Sequence, residues 1–157
     1  MNRITRHQMF MEMAQTVAKR STCMRLNVGA VIVKDRRIVS IGYNGVAPGK
    51  PHCQGNECPG RVGGCTLTTH AEINAINYLP KGIGSNLDIY VTDSPCPNCY
   101  DAIARDLRFN RLFFSTPYRI TDHLENSLFE ETLSVYRITP AGYVMDWNTG
   151  ELVDVES

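Results

Sequence analysis

An α/β fold, a mixed sheet covered by helices on both faces, is predicted by three features of the sequence. Two apolar segments separated by a charged turn form a hairpin just after an opening helix. Strand-like and helix-like segments alternate from there on. Gly, Pro and Asn cluster between the segments, where turns are needed. At 157 residues the chain is long enough to bury a core as a single domain spanning 1–157.

The elements follow in order. Residues 4–20 place Phe10, Met13, Ala14, Val17 and Ala18 at helical spacing. Asn27 to Val33 is a buried strand, Lys34 to Arg37 turns the chain, and Ile38 to Tyr43 returns as its hairpin partner. Residues 44–68 form a long loop rich in Gly, Pro and Cys, and loops of that length are usually functional or pinned. Thr69 to Leu79 is a helix stopped by Pro80 and Gly82, Leu87 to Thr92 a strand, and Pro95 to Leu107 a helix. Arg111 to Ser115 gives a fourth strand, and Asp122 to Leu133 a fourth helix. Tyr143 to Trp147 and Glu151 to Val155 have strand character around a turn at Asn148–Gly150, without a predictable register. No repeat, low-complexity tract or second domain is visible.

Sixteen basic and sixteen acidic residues balance to zero net charge, so nothing draws the whole chain to nucleic acid or an anionic membrane. The basic start, Met1 to Arg6, leads into a stretch interrupted by Glu12 and Gln15, an amphipathic helix and not a signal peptide. The apolar run near Ala30–Val33 is far too short to span a bilayer. A cytoplasmic location is the expectation. Six cysteines without secretion signals favour metal over disulfides.

The chemistry is concentrated in two strings, His70-Ala71-Glu72 and Pro95-Cys96-Pro97-Asn98-Cys99. One His and two Cys are three zinc ligands, which leave the fourth tetrahedral position for water, as in a catalytic centre. Glu72 lies two residues from His70, able to reach that water without binding metal. This H-x-E…P-C-x-x-C pattern is the signature of the zinc nucleobase deaminases. In that chemistry the activated water attacks an amidine carbon such as cytosine C4, and Glu72 carries protons to the ring nitrogen and the departing amine. Both strings precede or open helices, whose exposed N–H groups favour thiolates. Each feature has a blander explanation. Thr69 and Glu72 could form a capping box, Ser94-Pro95 is a good helix start, and a lone CxxC could be redox or structural. Their occurrence together, in this order, favours the catalytic reading.

Arg20-Ser21-Thr22-Cys23, Val28 to Val33, Gly42-Tyr43-Asn44-Gly45, His70 to Ile76 and Ser94 to Cys99, taken in sequence, give a chain that resembles the deoxycytidylate deaminases of bacterial and phage type. The likeness covers about residues 5–138 and not the tail, 139–157. It implies a three-layer α/β/α fold with a five-stranded mixed sheet. It also implies conversion of dCMP to dUMP and ammonia for thymidylate synthesis, in a hexamer activated by dCTP, with Mg2+ accompanying the nucleotide effector, and inhibited by dTTP. Matching positions make His70, Cys96 and Cys99 the zinc ligands, Glu72 the proton shuttle, and Asn44, Ala71 and Tyr118 substrate contacts. For Asn44 the alternative is a turn residue before Gly45, and for Tyr118 ordinary packing.

A phosphate needs cationic or N–H donors. Arg25, Lys50, Arg61 and Arg119 are available, with Arg25 and Arg119 favoured. Gly42, Tyr43, Gly45, Tyr78 and Lys81 match the effector region of regulated members. Some phage relatives hold a second zinc with Cys at positions matching Cys23 and Cys53, and with His and Glu upstream of the catalytic His. Here Thr68 stands in place of that Glu, so Cys58 and Cys65, or His52 as substitute, would complete the site, unless these are buried free thiols. A zinc there would clamp the long loop. Two rival functions remain. One is deamination of another substrate: tRNA adenosine, cytosine or cytidine, or a riboflavin precursor. The other is a zinc-binding module without turnover, in which Glu72 would have no use.

Overall fold

A computed structural model describes residues 2–22, 26–46, 68–118, 121–124 and 132–156. The first helix, α1 (Arg6–Ala18), is opened by a capping box in which Thr5 Oγ1 accepts from Gln8 N and Gln8 Oε1 accepts from Thr5 N. The hairpin follows as β1 (Gly29–Lys34) and β2 (Arg37–Tyr43), joined by Asp35 and Arg36, both at positive φ. That two-residue geometry matches the twist of the strands it joins. The short strands β3 (Gly45–Val46) and β4 (Thr68–Thr69) pair antiparallel and bring the ends of the long connection together. Then come α2 (Ala71–Asn77), β5 (Leu87–Asp93), α3 (Pro97–Arg105) and β6 (Phe109–Thr116). The strands β7 (Ser134–Ile138), β8 (Val144–Asp146) and β9 (Leu152–Val153) complete the chain.

The main sheet has seven strands in the order β2-β1-β5-β6-β7-β8-β9. The β5/β6 and β6/β7 pairs are parallel and the rest antiparallel, so the sheet is mixed as expected. The expected number of strands was five. The first five in this order make up that sheet, and the tail adds two by folding back antiparallel on β7. One of the five, β7, lies beyond the segments that the periodicity picked out.

Strand alternation sends neighbouring residues to opposite faces. Ala30, Ile32, Leu87, Ile89, Val91, Leu112 and Phe114 pack with Ala71, Ala75, Tyr100 and Ile103 of α2 and α3. Val31, Val33, Tyr90 and Phe113 point the other way, onto Phe10, Met11 and Ala14 of α1. Three layers result, α1 on one face and α2 with α3 on the other. The layers approach so closely that glycine is required at two points. A Cβ on Gly29 would collide with backbone of α1 at Ala14 and Ala18, and one on Gly42 with backbone of α2 at Ala71 and Ala75. Among the described residues no helix is long and apolar enough to cross a membrane.

The described part of the expected fourth helix is one 3-10 turn, Asp122–Leu124, and the chain is already non-helical at Thr132 and Leu133. The helix predicted from Pro95 starts instead at Pro97, because Cys96 is its extended N-cap and Pro97 takes the first helical position.

Candidate metal centre

Two helix starts converge at the C-terminal end of β5, where open α/β sheets commonly place their sites. At the first, His70 is the N-cap of α2, with extended backbone at φ −69° and ψ 152°. Its side chain makes no capping bond and Thr69 belongs to β4, so the Thr69–Glu72 capping box does not form. Glu72 is free of that duty and is buried. At the second, Cys96 is the N-cap of α3 and its Sγ accepts from Cys99 N at 3.5 Å.

Each helix is fixed to the sheet. Ser40 Oγ donates to Ala75 O at 2.6 Å and Asn74 Nδ2 to Tyr43 O at 2.8 Å, holding α2 on β2 over Gly42. For α3, Ser94 N donates to Thr116 O at 2.9 Å, which ties the turn before Cys96 to the end of β6.

His70 Nδ1 lies 3.1 Å from Cys99 Sγ and 3.5 Å from Cys96 Sγ, and the three donor atoms all fall within 4.8 Å of one another. Around a tetrahedral zinc with Zn–S near 2.3 Å and Zn–N near 2.0–2.1 Å, such donors stand roughly 3.5 Å apart. Two sulfurs and one imidazole with this spacing fit zinc. Cys99 is buried, Cys96 half-buried and His70 exposed, so the cluster opens to solvent on the His70 side.

The electrostatics are those of a site prepared for a cation. A hydrogen bond from the Cys99 thiol, opposed by burial and assisted by His70 and the Cys99 N–H, pulls the Cys96 thiol down to about 3. Cys99 is pushed up, first by that same bond, then by burial and by Glu72. A bound zinc would take both sulfurs as thiolates and displace any proton they carry. Burial raises the pKa of Glu72, while its hydrogen bond with Cys99 and the charge of His70 lower it.

Asn44 is buried, and its amide braces the chain before β1: Oδ1 accepts from Val28 N at 2.8 Å and Nδ2 donates to Leu26 O at 2.6 Å. A substrate contact would draw on its second amide hydrogen or its spare lone pairs. Ala71 is fully buried at the start of α2. Tyr118 is half-buried and its N donates to Ser94 Oγ at 2.7 Å. The expected effector residues lie along and after α2 and on the strands beside it. Gly42 lies beneath α2 and Gly45 is buried in β3, with Tyr43 between them, whereas Tyr78 and Lys81 are exposed beyond the far end of α2. Cys23, Cys53, Cys58, Cys65, His52, Arg25, Lys50, Arg61 and Arg119 lie outside the described residues.

The cytidine and deoxycytidylate deaminase zinc-binding region matches residues 4–116. The chain belongs to this family. Among the relatives, ComE operon protein 2 of Bacillus subtilis is 38% identical over 133 residues, 83% of this chain and 69% of its own length. The deoxycytidylate deaminase of Mycobacterium phage D29 is 37% identical over 108 residues, 60% of this chain and 83% of its own. Among solved structures, the dCMP deaminase of cyanophage S-TIM5 in complex with dCMP and dUMP superimposes with a TM-score of 0.70 at 30% identity, covering 83% of this chain and 94% of that one.

Proposed function

We propose that this chain is a zinc-dependent deaminase that hydrolyses dCMP to dUMP and ammonia. The observation that carries the reading is one donor cluster, His70, Cys96 and Cys99, beside a buried carboxyl that no helix cap engages. A purely structural zinc site is closed by four ligands and has no use for such a carboxyl. The substrate is supported by the deoxycytidylate deaminases among the relatives and by the cyanophage enzyme with dCMP and dUMP bound.

His70, Cys96 and Cys99 would hold the zinc. When bound, zinc lowers the pKa of its water from 15.7 toward about 7. Glu72 does the proton work. Its carboxylate takes a proton from the attacking water and delivers it to N3 of the cytosine ring. It then takes the second proton and delivers it to the exocyclic nitrogen. The C4–N4 bond breaks, the oxygen of water becomes O4 of uracil, and ammonia leaves with that second hydrogen. Burial of Glu72 keeps bulk water from competing for these protons. Asn44, Ala71 and Tyr118 belong to the substrate side of the reading, and Arg25 and Arg119 to its phosphate.

The same proposal includes a hexamer, dCTP with Mg2+ as activator and dTTP as inhibitor, supported by the resemblance, and a second zinc on Cys23, Cys53, Cys58 and Cys65, of which the resemblance supports the first two. Action in the cytoplasm, the host's if the gene is a phage's, is supported by the phage relatives. Glu72→Ala tests the central role. The variant should bind one zinc at this centre, keep its melting temperature and lose about 10²–10⁴-fold in kcat. Activity near that of the unmodified protein would refute the assignment.

A further inference from the structure

Tyr118 and His123, which follow β6, bond the turn that carries the two cysteines at two points. Ser94, buried at the end of β5, accepts from Tyr118 N at 2.7 Å and donates to Tyr118 O at 3.3 Å. His123, in the 3-10 turn, has Nε2 2.8 Å from Pro95 O. A carbonyl only accepts, so Nε2 carries the hydrogen and donates it. Nδ1 is left as a buried acceptor with no hydrogen-bond partner among the described residues. The imidazole also meets the Tyr100 ring edge-on, at 5.6 Å and 68°.

Pro95 directly precedes Cys96, and Tyr100 directly follows Cys99. His123 therefore touches both ends of the four-residue turn that sets the two sulfurs. The Pro95 carbonyl belongs to the peptide unit that leads into Cys96, whose backbone is extended at φ −65° and ψ 165°. Rotating that peptide would swing Cys96 Sγ away from His70 Nδ1, now at 3.5 Å. Pro95 has no N–H, so its carbonyl is the only polar backbone handle it offers. Burial of the Nδ1 acceptor without a partner costs stability, which a merely packing residue such as Phe would avoid. The imidazole points to use of its N–H.

We propose that His123 is a positioning residue for the metal centre: by bonding Pro95 O and bracing Tyr100 it fixes the placement of Cys96 and Cys99 relative to His70. The inference rests on the zinc reading above. Groups that orient metal ligands from outside the coordination sphere typically account for 10–100-fold in metal affinity.

The test is zinc affinity by chelator competition, and the visible spectrum of the cobalt-substituted protein, in His123→Phe, His123→Gln and His123→Asn. Phe keeps the aromatic edge contact and loses the donor. Gln carries an N–H where Nε2 stands, whereas the donor of Asn falls short of Pro95. Phe and Asn should bind zinc about 10–100-fold more weakly and shift the cobalt bands, with Gln restored to near the unmodified protein. Should the Phe variant not fold, the Gln and Asn pair decides. Equal affinities and identical spectra for Gln and Asn, or for Phe and the unmodified protein, would overturn the inference. Failure of the unmodified protein to bind zinc at all would instead overturn the functional reading.

Discussion

The contact of α2 with β2 at Gly42 gives the sharpest test of how the fold positions the site. In Gly42→Ala the new Cβ would lie 2.5 Å from Ala75 N, with Ala71 O closer still, and ordinary contact begins near 3.4 Å. The obstructing atoms are backbone on both sides, so no side chain can rotate away. Relief requires α2 to lift from the sheet by about 1 Å. Overpacking of this kind costs about 1–3 kcal/mol, a fall of roughly 3–9 °C in Tm for a domain of this size. Because α2 carries His70 at its N-cap and Glu72 in its first turn, the shift passes directly to the donor cluster. Displacements near 1 Å can cost about 10²-fold in rate. The assays are thermal melting, zinc content and kcat on dCMP. Gly150→Ala is the control: its φ of 72° makes any Cβ strained, but nothing lies within 4 Å, so Tm should fall slightly with kcat unchanged. Unchanged Tm, zinc and kcat in Gly42→Ala would refute the argument. Normal basal activity with lost effector response would instead make Gly42 an effector residue.

Two further outcomes are expected. His7 is buried with Nδ1 2.7 Å from Tyr90 OH and Nε2 2.8 Å from Val155 O, where it anchors the tail; burial lowers its pKa below 6.5, reinforced by Arg111 and opposed by the Val155 carbonyl, Asp88 and Asp154. The unfolded chain then takes the proton first as pH falls, so stability is complete above about pH 6.5 and declines below it. His7→Gln should flatten that decline in urea melts between pH 5 and 7.5, and an unchanged slope would contradict the assignment. Asn44→Ala removes both bonds to the chain before β1, leaving Val28 N and Leu26 O without those partners. It should cost about 2–3 kcal/mol in the ligand-free protein, with any rise in KM measured on top of that; an unchanged Tm would show that the brace does not matter.

The donor cluster was legible because His70, Cys96 and Cys99 need only be delivered by two helix starts, and short motifs record helix starts well. The hairpin was legible for a similar reason, since its turn is two residues long. Caps were less so. Thr69 and Glu72 satisfy the capping pattern as well as Thr5 and Gln8 do, yet pairing of Thr68–Thr69 with Gly45–Val46 takes Thr69 into a strand. Pro95 and Pro97 are equally good helix starters by type, and only the extended backbone of Cys96 decides between them. The tail strands are two and three residues long, and their register comes from β7, itself unrecognised, so periodicity alone could not place them. His123 belongs to no motif and lies 24 residues from Cys99 in the sequence; its relation to Pro95 exists only in three dimensions.

The most direct test of the account is ultraviolet loss of the cytosine chromophore by the zinc-loaded protein, with dCMP, CMP, deoxycytidine and cytidine in parallel, each with and without dCTP and Mg2+. Turnover confined to dCMP and raised by dCTP is the expected result. Turnover of nucleosides alone would leave the zinc chemistry standing and remove the proposed substrate, and no turnover of any of the four with zinc bound would contradict the account.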